Sequence, residues 1–257
     1  MAMDSTERII SIVTYLAPGQ KKSTLTEICR DLRTSKATTH RILSSLRRIN
    51  WVSKEAGGRR YSIGPALAEI GLTVISNLDL RRATLPFLSN LNHTTNETAM
   101  LSLRVGLERV FIEQVEGSYE VRMITQLGKK YPLWLGAQGK AILAYLREDE
   151  IAQVFTNLKK AGTKILASGQ SLNLKNLRKN LAEIRRRGFA VSFGERVIGA
   201  AAVAAPIFGR DNQVVGAISV SGPLHRFTEE TVRQYGPAVE RAALQISIQL
   251  GASRLSK

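Results

Sequence analysis

The chain is poor in the residues that most site chemistry uses: one cysteine, three histidines and 6% aromatics among 257 residues. A lone Cys29 excludes an internal disulfide framework, fits a reducing cytoplasm, and reads as a small buried residue on a helix. His40, His93 and His225 lie far apart, with no Cys or His at metal-ligand spacing, so no metal and no other cofactor is expected. No apolar run reaches the roughly eighteen residues of a membrane-spanning helix, and the start MAMDSTERII lacks the apolar stretch of a signal peptide. Acidic residues are also scarce, 21 against 37 Lys+Arg, for a net charge of +16. A surface so basic attracts polyanions and releases counterions on binding them, which makes nucleic acid the first partner to consider. Residues 1–85 carry +7 and the remainder +9, so the charge is denser at the N-terminal end without being confined to it.

What is present at that end is ordered. TERIISIVTYLA (6–17) places Ile9, Ile10, Ile12, Val13 and Leu16 on one broad helical face, and Pro18-Gly19 ends it. Thr24-Leu25-Thr26-Glu27 is a capping box opening a short helix that runs to Leu32 and buries Ile28 and Leu32. Arg33-Thr34-Ser35 forms the turn, with Ser35 as N-cap of a helix from Lys36 to Ile49 whose apolar stripe is Ile42, Leu43, Leu46 and Ile49. Two strand-like pieces, 51–53 and 60–63, follow, joined through Gly57-Gly58. Helix, short helix, tight turn, helix and glycine hairpin is the order of a winged helix-turn-helix over residues 1–64. In such a unit the second helix of the pair lies in the major groove and the hairpin lies on the backbone or minor groove. Ser35, Lys36, Thr38, Thr39, His40 and Arg41 at the start of that helix, with Arg59 and Arg60 at the wing tip, are the candidate DNA contacts.

Residues 65–78 form a connecting helix with Leu67, Ile70, Leu72, Val74, Ile75 and Leu78 apolar on more than one face, the pattern of a helix packed against a second subunit. Asp79 caps a further helix, with Pro86 as a kink or break. Beyond it, strand-like segments at 98–105, 108–116, 119–126, 189–193, 199–208 and 213–221 come in bursts, separated by helices at 138–147, 148–158, 172–187 and 228–250. This predicts an α/β domain over 79–257 with a mainly antiparallel sheet, and an α+β two-domain chain as a whole.

Catalytic signatures fail on inspection. Gly136-Ala-Gln-Gly139-Lys140-Ala141 is not a phosphate loop, because Trp134 stands where the first Gly is needed and Ala141 replaces the Ser or Thr that holds magnesium. Ser192, Ser219 and Ser221 have no evident His–Asp partners, so the chain is not expected to be an enzyme. The small residues of GAAAVAAPI (199–207) and GAISVSGP (216–223) either let a helix pack closely or leave a concavity for a ligand. The helix start near Gln138 presents free amides suited to a carboxylate. Trp134 reads equally as pocket wall or rim, and Arg185-Arg186-Arg187 as a solvated helix end or as a contact to flanking DNA.

These segments resemble the IclR family of bacterial transcription regulators over nearly the whole chain: TSKATTHRILSSLRRINWV with GGRRYSIGPALAEIG, then YPLWLGAQGKAILAYL, RRRGFAVSFGERVIGAAAVAAPIF and QVVGAISVSGPLHRF. The resemblance implies a winged-helix homodimer or dimer of dimers on a near-palindromic double-stranded operator. It also implies a linker helix to a GAF-like effector domain and control by a small organic acid. Carried over residue by residue, the effector pocket falls on Met123, Leu127 and Tyr131, on Gly136, Ala137 and Gln138, and on Ser192, Ala200, Ala202, Ser219 and Ser221. Ser192 stands where the family often has an acid, and Ala200 and Ala202 where bulkier apolar residues occur. A wider, less acidic pocket favours an aromatic carboxylate over a two- or three-carbon acid. The competing reading is a basic architectural DNA-binding protein without a ligand, which would bind all DNA sequences alike.

Overall fold

A computed structural model describes residues 4–17, 21–55, 57–76, 79–162 and 164–253, the side chains of 72–76 excepted. The chain divides into two compact units, residues 1–77 and 78–257. Pro18-Gly19, and the side chains of Leu72, Val74, Ile75 and Leu78, lie outside the described residues.

The first unit runs α1 (Ser5–Leu16), β1 (Ser23–Thr24), α2 (Leu25–Leu32), α3 (Lys36–Arg48), β2 (Val52–Lys54), β3 (Arg60–Ile63) and α4 (Pro65–Ser76). Both of its first two helices start in reciprocal caps, Asp4 with Glu7 and Thr24 with Glu27. In the second cap the Thr24 amide donates to Glu27 Oε2 at 2.7 Å, and the Glu27 amide donates to Thr24 Oγ1 at 3.3 Å. The turn after α2 is made by Arg33 in the left-handed region, φ 52°. Burial rather than propensity holds α3. Its two Thr and two Ser cost a few tenths of a kcal/mol each, whereas burying Ile42, Leu43 and Leu46 contributes about 1.5–3 kcal/mol apiece. These three meet Ile12, Leu16, Ile28, Val52 and Tyr61 in one small core. Ile10 and Ile49, expected on apolar faces, are 59% and 54% exposed, and Leu32 is only half-buried. Ile49 falls beyond the end of α3, where the helical spacing no longer holds it against the core. The wing is a three-stranded antiparallel sheet, β1-β3-β2, because the two-residue β1 pairs Ser23 with Tyr61.

The second unit contains α5 (Asp79–Thr95), β4 (Thr98–Val105), β5 (Glu108–Val115), β6 (Lys130–Pro132), α6 (Gly136–Leu143), α7 (Glu148–Lys160) and α8 (Leu174–Arg187). They are followed by β7 (Ala190–Phe193), β8 (Ala200–Phe208), β9 (Val214–Pro223) and α9 (Glu229–Gln249). Asp79 is the first residue of α5, and the helix continues through Pro86 rather than breaking there. The sheet has order β6-β5-β4-β9-β8-β7, and every pairing is antiparallel. Strand alternation splits its two faces. Val203, Ala205, Ile218 and Val220 pack under α5 and α9, while Ala204 and Ala217 pack under α6, α7 and α8. The small residues of β8 therefore serve both purposes left open by the sequence: Ala204 admits α6 closely, and Ala200 and Ala202 on the same face border a recess.

The expected strand at 119–126 does not form. Val121 and Ile124 are 66% and 52% exposed, and the Thr125 amide bonds to the Gln114 side chain instead of to a neighbouring strand. Among the described residues the strand that pairs with the outer edge of β5 is the three-residue β6, at Glu108–Val110, and the Gly128 amide adds one bond to the Phe111 carbonyl at 2.8 Å.

Gly216 marks a close approach. A Cβ there would stand 2.3 Å from the Ser102 carbonyl oxygen on β4. Gly216→Ala is expected to destabilise the second unit by about 1–3 kcal/mol, read as a lower denaturant midpoint of the full chain; an unchanged midpoint would show that β4 and β9 separate freely at this point.

Candidate functional site

The turn between α2 and α3 sets the first site. Ser35 accepts a hydrogen bond from the Thr38 amide at 3.2 Å and donates from its hydroxyl to Thr38 Oγ1 at 2.9 Å. Lys36, His40 and Arg41 are exposed over the first turns of α3, Thr38 is half-buried, and Arg59 and Arg60 are exposed at the wing. Thr39 departs from the expectation. It is fully buried, and its hydroxyl lies 2.7 Å from that of Thr34, so it fastens the turn and cannot reach a base edge. The spacing carried the signal, since Thr39 stands three and four residues before the buried Ile42 and Leu43. Arg47 and Arg48, exposed at the end of α3, are further cations that the sequence reading left out.

The second site is a recess of about 410 Å³, mouth included, between the start of α6 and one face of the sheet. It brings together Gly136, Ala137, Gln138, Ser192, Ala200, Ala202, Ser219 and Ser221. Strand register aligns them: Ser192 faces Ala202 across β7–β8, Ala202 faces Ser221 across β8–β9, and Ser219 faces Met100 across β9–β4. Met123 and Leu127 do not line it. They belong to the loop that replaces the missing strand, where Leu127 is 45% exposed. Tyr131 touches the lining indirectly, edge-to-face on Phe111 at 5.6 Å and within 3.4 Å of Arg196 Nη1. Trp134 packs into the core under α6–α8 rather than onto the recess.

Helix α6 is buried along its entire length, which forces its one charge, Lys140, to be neutralised. The Lys140 ammonium donates to the Val191 carbonyl at 3.0 Å and makes a close ion pair with Glu195. The other carboxylate oxygen of Glu195 accepts from the Gly136 amide at 3.0 Å. So the first free amide of α6 already holds a carboxylate from within the chain. Gly136 itself sits at φ +76°, a conformation that favours glycine. Gln138 donates to the Met100 carbonyl and to Ser219 Oγ, at 3.0 and 2.7 Å, leaving its own carbonyl oxygen without a partner among the described residues.

Sequence reasoning missed Arg109. The alternation of ERVFIEQV turns Arg109 and Phe111 to the recess and Val110 and Ile112 to the core beneath α5 and α9, and that signal was available. Arg109 is 1% exposed. One nitrogen, Nη2, donates to the Leu135 carbonyl at 3.2 Å; Nε and Nη1 have no acceptor among the described residues. Burial, and then the positive charge of Arg196, push its pKa down to about 9. At neutral pH it is still charged. Because its folded pKa is depressed, that charge costs the folded state stability, and the cost is relieved only as pH rises through about 9.

Residues 72–248 match the description "Bacterial transcriptional regulator IclR C-terminal", and residues 5–56 match "IclR helix-turn-helix domain". The chain belongs to the IclR family. Among similar proteins, the HTH-type transcriptional regulator KipR of Bacillus subtilis is 33% identical over 89% of this chain and 90% of its own. A crystal structure of an IclR-type regulator from Silicibacter sp. TM1040 superposes with a TM-score of 0.85 at 26% identity, covering 97% of each chain. An IclR homologue from Microbacterium hydrocarbonoxydans, solved with 4-hydroxybenzoate, shares the fold at a TM-score of 0.79 and 20% identity, over 97% of this chain and all of its own. This IclR protein is accordingly a helix-turn-helix transcription regulator; the families and relatives it matches are regulators, not enzymes. Among the described residues no group of three His, Cys, Asp or Glu could hold a metal ion, and no helix is long and apolar enough to cross a membrane. Arg185 and Arg186 are engaged within the chain, by the Ala144 carbonyl and Glu148 and by Glu183, and Arg187 by the Phe189 carbonyl.

Since Thr39 acts inside the turn, Thr39→Ala should lower the stability of the first unit by about 1 kcal/mol in denaturant unfolding and leave the preferred bases unchanged in DNA selection. A change of base preference at wild-type stability would return Thr39 to the reading edge.

Proposed function

We propose that this regulator binds a near-palindromic operator as a homodimer or a dimer of dimers in the cytoplasm, and that a small organic acid in the second unit controls its occupancy. The reading edge would be Thr38 and His40, with Ser35 holding the helix start and Lys36, Arg41, Arg59 and Arg60 supplying phosphate contacts. Exposed cations and short donors at a helix start are the side chains that suit base edges and phosphates. The acid is supported by one observation above the others: a buried arginine borders an open recess with two of its nitrogens lacking an acceptor. Such a group calls for an anion. The Phe111 ring at the edge of the recess also suits an aromatic carboxylate, the kind of acid carried by the Microbacterium homologue. Differential affinity of the acid for two arrangements of the protein, worth about 1–3 kcal/mol, would change operator affinity about 5- to 150-fold.

Two measurements test the reading. Fragments of the source genome selected by the full-length protein should share a near-palindrome, and organic acids titrated into that complex should shift its affinity; equal binding to random DNA would favour an architectural role. Arg60→Ala should weaken binding to every sequence and reduce the slope of log K against log salt by about 1, while His40→Ala should alter base preference. A wild-type salt slope in Arg60→Ala would take the wing off the phosphates.

A further inference from the structure

Charge in the recess does not balance. Glu195 is consumed by Lys140 and by the Gly136 amide. Arg109 and Arg196 remain, and no carboxylate of the described residues forms an ion pair with either. They lie over the same two rings. The guanidinium carbon of Arg109 is 4.6 Å from the Phe111 centroid and 5.4 Å from that of Tyr131, and that of Arg196 is 5.3 and 5.1 Å away. Ring faces stabilise a cation but accept no in-plane N–H, so stacking leaves the free Nε and Nη1 of Arg109 unanswered. A purely structural role would also set two like charges side by side, one of them fully buried, with no carboxylate of the described residues to offset them. A ligand with two negative charges would neutralise both arginines and give the buried nitrogens their acceptors.

We propose that the recess is built for a small dicarboxylate, with Arg109 as the anchor of one carboxylate and Arg196 as its partner at the mouth. This rests on the reading of the recess as the effector site and narrows the effector from a small organic acid to a dicarboxylic one.

The test uses the full-length protein and two matched pairs of probes, succinate against butyrate and isophthalate against benzoate, by calorimetry at fixed ionic strength. In at least one pair the dicarboxylate should bind about tenfold tighter or more, the effect of one charge-assisted contact. Arg109→Met should erase that preference while melting no lower than the wild type without ligand, because it removes an unpaired buried charge. Should Arg109→Met fail to fold, Arg196→Gln, at a more exposed position, should weaken the dicarboxylate several-fold and leave the monocarboxylate unchanged. If monocarboxylates bind as tightly as their partners, or if the preference survives in these variants, the dicarboxylate proposal is overturned and the effector site stands. If neither class binds, both fall.

Discussion

The carboxylate of Glu195 connects the parts of the second unit that matter for its site. Helix α6 is buried from Gly136 to Leu143, and a buried helix carrying a lysine is tenable only if that charge finds a partner of opposite sign. Glu195 supplies it, and with its second oxygen it meets the backbone amide at the head of the same helix, the end where the helix dipole favours an anion. One side chain from the loop after β7 thereby seats α6 on the sheet and fixes the loop at Gly136. The recess exists because α6 is held there, at its N-terminal end, over strands whose side chains are Ala and Ser.

That arrangement changes the meaning of the helix start. A run of free amides in a glycine-containing loop invites the view that an external carboxylate lands there. In this protein the first of those amides is taken by the chain itself, and the unanswered polarity lies across the recess, on β5, in the guanidinium of Arg109. The pocket is acidic in one residue and basic in two, and the basic groups are the ones without an ionic partner among the described residues.

Much of the fold could be read from the sequence because local chemistry and burial agree. The Thr24–Glu27 box, Ser35 as a cap, the glycine hairpin and the antiparallel strands of the second unit each have a short-range cause. What escaped has causes of longer range. The two-residue β1 exists only because Tyr61 offers it an edge, and the segment 119–126 has strand composition but forms no ladder, its Thr125 amide going to the Gln114 side chain. Thr39 was legible through its spacing: its polarity suggests the surface, while its distance in sequence from Ile42 and Leu43 requires the core. Eight of the eleven pocket residues that the family resemblance implied line the recess, three at the start of α6 and five on β7, β8 and β9. Arg109 stayed hidden because a charged residue in a strand suggests solvent, and only the turn at Leu135–Gly136 and the rings of Phe111 and Tyr131, brought to it by the tertiary fold, make it internal.

The order of the large sheet has a consequence for solubility. Its long, alanine- and valine-rich strands, β8 and β9, are interior, while both borders are short: three residues in β6 and four in β7. The β6 border begins with Lys130 and ends with Pro132, a charge and a residue that cannot donate to a ladder. On β6 and β7 themselves a strand arriving from another molecule would find little backbone to template on. The apolar strands β8 and β9 are thus kept away from the two terminal positions of the sheet, where edge-to-edge growth would start.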